Sequence, residues 1–323
     1  MNPSEYWWDR SGPADPDIRR LERALSPLGY RSPRRHRIGL LQAGLSLAAA
    51  LLLVWAAGPD DPLSGRESWR LTVLAGNPHA DGRTLAGTDL LGVGQWLTTG
   101  PTAAVDLSVG AIGHVRIEPG SRLRILTSTP SVYRIQLEEG MIHAAVWAPP
   151  RQFVVETPAA RAVDLGCEFT LAVDARGHGM LCVETGWVAL ESHERSSLVP
   201  SGAQCEMRPG VGPGTPYLAG ASPDYLELLR AFDFESGSAA HVEALIDQAS
   251  PCDAFSLVYL VQRVEPSDRG RIFDRVTELY PPWQGITRAG IVSLESAAVK
   301  GWQDQFECFE SEVCRASCLP EWL

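Results

Sequence analysis

Positive charge is in short supply along this chain: 28 Lys and Arg stand against 39 Asp and Glu, a formal net charge of -11. That balance argues against a general nucleic-acid binder, because phosphate contacts need clustered cations and most of the chain would be repelled. Catalytic signatures are lacking as well. There is no G-x-S-x-G nucleophile elbow, no G-x-x-x-x-G-K-[ST] phosphate loop, no H-E-x-x-H helix and no C-x-x-C pair. The seven histidines are scattered, and His114, His143, His178 and His193 fall among strand-like segments, where hydrogen bonding is a commoner role than metal ligation. No catalytic residue, metal ligand or cofactor is expected, and no internal repeat is strong enough to insist on a solenoid.

What is present is length and apolar content. With 323 residues and 45% of them hydrophobic, the chain can build two folded units with connecting segments. The most apolar stretch, "IGLLQAGLSLAAALLLVWAA" at 38–57, carries no charge and only Gln42 and Ser46 as polar side chains. As a helix rising ~1.5 Å per residue it reaches roughly 30 Å, one hydrocarbon thickness, so a single transmembrane helix is expected. A cleaved signal peptide ending at Ala56-Ala57-Gly58 is the competing reading; the long leading segment and long apolar core favour an uncleaved anchor. Arg31, Arg34, Arg35 and Arg37 precede the run, and Asp60 and Asp61 follow it. The positive-inside bias then orients the span, with residues 1–37 cytoplasmic and the bulk of the chain beyond the membrane. Within residues 1–37, Ile18, Leu21 and Leu25 line one face of a short helix, and with Trp7 and Trp8 they form a candidate docking peptide for a protein partner.

Past a Pro/Gly/Asp linker at 58–68, residues 69–207 break into short alternating segments with Gly or Pro at nearly every junction. This pattern predicts an all-β unit, sandwich or solenoid-like. A Gly/Pro-rich linker is expected at 208–223, and an α-helical domain at 224–323, where apolar residues recur at helical spacing in five or six segments. Ser222, Ser238, Asp253 and Ser267 are candidate caps.

All seven cysteines follow the apolar run, so the predicted topology puts them in an oxidising space where disulfides are the default. In "DLGCEFTLAV" Cys167 joins the buried face of a strand, with neither a base nor a helix N-terminus beside it in sequence, which makes catalysis its least supported role. Two readings remain for it: a bridge to Cys205, or a reduced core residue. For Cys308, Cys314 and Cys318 a disulfide to Cys252 or within the tail is favoured over zinc, which would need a fourth ligand such as His241 or Glu310.

Several ordered pieces carry a resemblance: "GQWLTTGPTAAVDL", "VRIEPGSRL", "LEEGMIHAAV", "FVVETPAARAVDLGCEF" and "VETGWVAL". Together, from about Gly94 to Leu190, they resemble the FecR family of bacterial envelope proteins, whose domain lies outside a single membrane span. At Gly166-Cys167-Glu168-Phe169 this chain has Cys where the family usually has Thr, and its cytoplasmic segment is shorter than the usual anti-sigma domain. The resemblance implies a non-enzymatic, inner-membrane signal transducer whose protein partner is a sigma factor or an envelope component. The alternative is an envelope scaffold that uses both domains as interaction surfaces.

Overall fold

The computed structural model describes residues 68–307 apart from Ser236. The expected span at 38–57, the docking residues Trp7, Trp8, Ile18, Leu21 and Leu25, the arginines at 31, 34, 35 and 37, and Cys308, Cys314 and Cys318 lie outside them. Among the described residues no helix is long and apolar enough to cross a membrane.

Strands come first. β1 (Ser68–Ala75), β2 (His79–Ala80), β3 (Arg83–Thr84), β4 (Thr88–Gly92), β5 (Trp96–Thr98), β6 (Ala104–Val109), β7 (Gly113–Ile117) and β8 (Arg122–Thr129) lead into the long β9 (Val132–Val146). After it run β10 (Phe153–Glu156), β11 (Arg161–Asp164), β12 (Cys167–Val173), β13 (Gly179–Thr185), β14 (Trp187–Glu191), β15 (Ser196–Pro200) and β16 (Ala203–Arg208). β17 (Gly212–Pro213) and β18 (Tyr217–Leu218) close the series.

They form two sheets. One has the order β4-β1-β6-β7-β9-β12-β13-β16, with β17 and β18 added along β16. The other has the order β3-β2-β5-β8-β9-β10-β11-β14-β15. β9 belongs to both: its first half pairs with β8 and β10, its second with β7 and β12. Between the halves sits Gly140 at φ +98°, where an added Cβ would stand 2.3 Å from the Ser121 Cα. Only glycine lets the strand crease there, because both the dihedral and the space exclude a side chain. Among the described residues only the β9–β10 pair is parallel; it makes one solenoid-like coil in an otherwise antiparallel sandwich.

Alternation selects the inner faces. Leu71, Val105, Ile117, Phe169 and Leu181 from the first sheet meet Leu97, Leu123, Ile135, Phe153 and Leu190 from the second, all fully buried. Period two thus becomes a single apolar layer between the sheets.

Among the described residues six α-helices follow: α1 (Pro223–Phe234), α2 (Ala239–Gln248), α3 (Ala254–Leu260), α4 (Pro266–Leu279), α5 (Arg288–Val292) and α6 (Ser296–Glu307). All seven residues of α3 are buried, as its apolar circumference requires, and it packs on β18 as well as on α4 and α6. Ser222 caps α1 by accepting from the Tyr225 N–H at 3.2 Å, and Ser238 caps α2 in a box closed by His241. α4 is capped at Glu265 rather than at Ser267. Pro266 takes the first helical position, where its missing N–H costs no hydrogen bond, so the boundary falls two residues earlier.

Residues 208–223 differ from the expected linker. They carry β17 and β18, and 212–218 are buried throughout. The glycines and prolines there permit close approach rather than freedom: a Cβ on Gly214 would meet the Phe234 ring at 2.8 Å and Asp233 Oδ2 at 2.9 Å.

Candidate functional site

The two readings of Cys167 are resolved by the strand register. Leu171 of β12 faces Leu181 of β13, which faces Cys205 of β16. Cys167 therefore lies two strands across and four residues along from Cys205, roughly 16 Å away at ~4.8 Å per strand and ~3.3 Å per residue. A disulfide needs its Cα atoms within about 7 Å, so the expected Cys167–Cys205 bridge does not form, and both are buried free thiols. Cys182 and Cys252 are each disulfide-bonded.

The Cys167 thiol instead donates to Asp164 Oδ1, which also accepts from the Cys167 N–H at 3.0 Å, while Oδ2 accepts from the Gly166 N–H at 3.2 Å. One fully buried carboxylate thus fastens the corner between β11 and β12. Burial, reinforced by the Asp164 charge, pushes the thiol far above the ordinary cysteine range, and burial likewise raises Asp164. Burial pushes Cys205 up to about 12. Neither sulfur is a nucleophile at neutral pH. Among the described residues no three His, Cys, Asp or Glu side chains converge on a metal position.

A cleft of about 810 Å³ opens between β15 and the helices. It is built on Arg263, just beyond α3, whose side chain is 17% exposed beside an Asp233 carboxylate at 3%. Nη1 donates to Asp233 Oδ1 at 3.1 Å and to the Pro213 carbonyl at 3.2 Å; Nη2 donates to the Gly214 carbonyl at 2.9 Å, the Ser196 carbonyl at 3.4 Å and Ser197 Oγ. Asp233, near the end of α1, also accepts from the Thr215 N–H at 2.6 Å and the Thr215 hydroxyl at 3.1 Å. Arg195 reaches over to donate to the Asp233 carbonyl at 2.7 Å.

Desolvating a guanidinium and a carboxylate costs several kcal/mol each, so such a pair holds only when its other hydrogen bonds are met, as they are here. Burial raises the Asp233 carboxyl and Arg263 pulls it back down. The cluster acts as a joint that fixes α1 and the α3–α4 turn against β15 and β17. Its hydrogen-bonded partners are 18 to 67 residues apart, and no local pattern links them.

A second surface lies at the end of the sandwich. Trp147 is 73% exposed and Trp187 43%. Val146 pairs with Cys167, and the Leu165 N–H donates to the Trp187 carbonyl at 3.1 Å, so both indoles flank the Gly166 corner.

No curated protein matches the chain significantly in sequence. Two crystal structures of a "putative anti-sigma factor" from Parabacteroides distasonis, at 1.65 and 2.50 Å resolution, are similar to it at 18% identity and a TM-score of 0.33. The aligned part covers 36% of this chain and 56% of that protein. Residues 95–189, which run from the start of β5 into β14, match the family described as FecR protein. The chain carries a FecR domain.

Proposed function

We propose that this protein is a membrane-anchored regulator whose FecR domain responds to a partner outside the membrane and whose residues 1–37 act on a cytoplasmic protein, a sigma factor being the first candidate. The observation that carries this reading is the FecR match at 95–189, lying beyond an apolar run that arginines precede. A carboxy-terminal alkaline phosphatase fusion should be active and a green fluorescent protein fusion dark, and residues 1–37 as bait should recover a regulatory protein. The opposite fusion result, or a bait that recovers none, removes the reading.

The exposed Trp147 and Trp187 favour a second reading, an envelope scaffold. Deleting residues 1–30 separates the two, since scaffolding survives the deletion and signalling does not.

A further inference from the structure

β15 is the last strand of its sheet, and the ladder dictates where its main chain points. Because the Leu165 N–H bonds the Trp187 carbonyl, Trp187, Ala189 and Glu191 direct their peptide groups toward β11. Val188 and Leu190 are left to bond Val199 and Ser197 of β15. By the same alternation Ser196, Leu198 and Pro200 turn their peptide groups away from the sheet. The Ser196 carbonyl accepts from Arg263, and Pro200 has no N–H. The Ser196 N–H and the Pro200 carbonyl face the same way, and between them lies the main chain of Leu198, a residue 39% exposed that helps line the cleft.

Sheet edges are normally blunted by proline, charge or a covering element. At each end of β15 one outward main-chain group is taken or missing, and in its middle neither is. That middle faces a recess of about 810 Å³, within the size range of ligand sites. The recess is acidic. Glu194, Glu235 and Glu265 line it without an ion pair among the described residues, while its guanidiniums are committed, Arg263 to the Asp233 carboxylate and Arg195 to the Asp233 carbonyl.

We infer that the outer edge of β15 is a docking strand for an extended Lys- or Arg-bearing segment of a partner protein, paired with the Leu198 main chain and held by the carboxylates of Glu194, Glu235 and Glu265. Main-chain pairing supplies affinity that tolerates sequence, and the carboxylates supply the preference for cations. This site is independent of the membrane topology proposed above, so a failure of either leaves the other standing.

The test uses the full chain in detergent and a short fluorescent peptide that alternates Lys and Val. Two controls are the same peptide with Glu for Lys and the same peptide with alternate backbone N-methylation. The Lys peptide should bind saturably and slow amide exchange at Leu198; each control, and a Glu235→Gln/Glu265→Gln variant, should bind about tenfold more weakly or worse, ~1.4 kcal/mol. Leu198→Pro should weaken binding similarly, and if that variant does not fold, the N-methylated peptide asks the same question. No binding, equal binding of Lys and Glu peptides, or binding without protection at Leu198 overturns the proposal. Self-association of the chain that Leu198→Pro abolishes would overturn it too, by assigning the edge to a second copy.

Discussion

The sandwich leaves fewer buried polar groups without a partner than the helical region does. In the sandwich Thr99, Ser121, Asp164 and Thr170 are all buried, and all are hydrogen-bonded: Thr99 and Ser121 to neighbouring main chain, Asp164 to the Cys167 corner, Thr170 to His143 and Glu184. In the helices the Tyr225 hydroxyl, Asp253 Oδ1, the Ser256 hydroxyl and the Trp302 indole N–H are buried with no hydrogen-bond partner among the described residues. Strand corners leave main-chain groups that small polar side chains can reach, whereas a helix interior satisfies its own main chain and offers interior side chains little. Gln152 Oε1, between β9 and β10, is left the same way, so at about 1–3 kcal/mol for each unpartnered group the helical region carries the heavier burden rather than all of it.

The sharpest way to break this contrast is at the joint. Arg263→Ala leaves Asp233 buried without its cation and should cost about 3–5 kcal/mol. In denaturant it should also separate a helical transition from the sandwich transition; a single unshifted transition would mean that the joint does not couple the two regions. Gly140→Ala comes next, at about 3 kcal/mol from the positive φ and the contact with Ser121. Its loss should appear in the sandwich transition, followed by near-ultraviolet circular dichroism.

Tyr225→Phe should run the other way. Removing a buried hydroxyl that has no partner is expected to raise stability by up to about 1 kcal/mol, while Thr99→Val in the sandwich should lower it by a similar amount. Equal signs in thermal melts would erase the contrast. The smallest effect is electrostatic. The Arg161 and Arg151 guanidiniums hold the Glu191 carboxyl below its usual range. Its stabilisation is therefore complete above the unfolded value of about 4.3 and is lost as pH falls through the lower folded value. Both arginines are at least half exposed, so Glu191→Gln should cost about 0.5 kcal/mol at pH 7, with the difference gone by about pH 2.

Local pattern made much of the fold legible. Alternation from Val163 to Val173 foretold strand, though the run breaks at Leu165-Gly166 into β11 and β12 and β12 is buried on both faces beyond Glu168; Ser222 and Ser238 foretold helix starts, because that signal is contained within a few residues. It failed where the cause is non-local. The buried strands at 212–218 read as a linker because glycine and proline look alike in a loose connector and in a tight packing seam. The Cys167–Cys205 pairing rested on a shared face, but a shared face gives no distance along the strand, and register decided against it. The cleft was invisible, since Ser197, Thr215, Asp233 and Arg263 meet only once both regions have folded.

The creased ninth strand has a mechanical corollary. Because one covalent thread runs through both layers, a tug on either layer reaches the other through peptide bonds without first having to slide one apolar face over the other. A layer cannot peel away alone without stripping that thread from its neighbours, so a force strong enough to open the sandwich should open both layers in the same event.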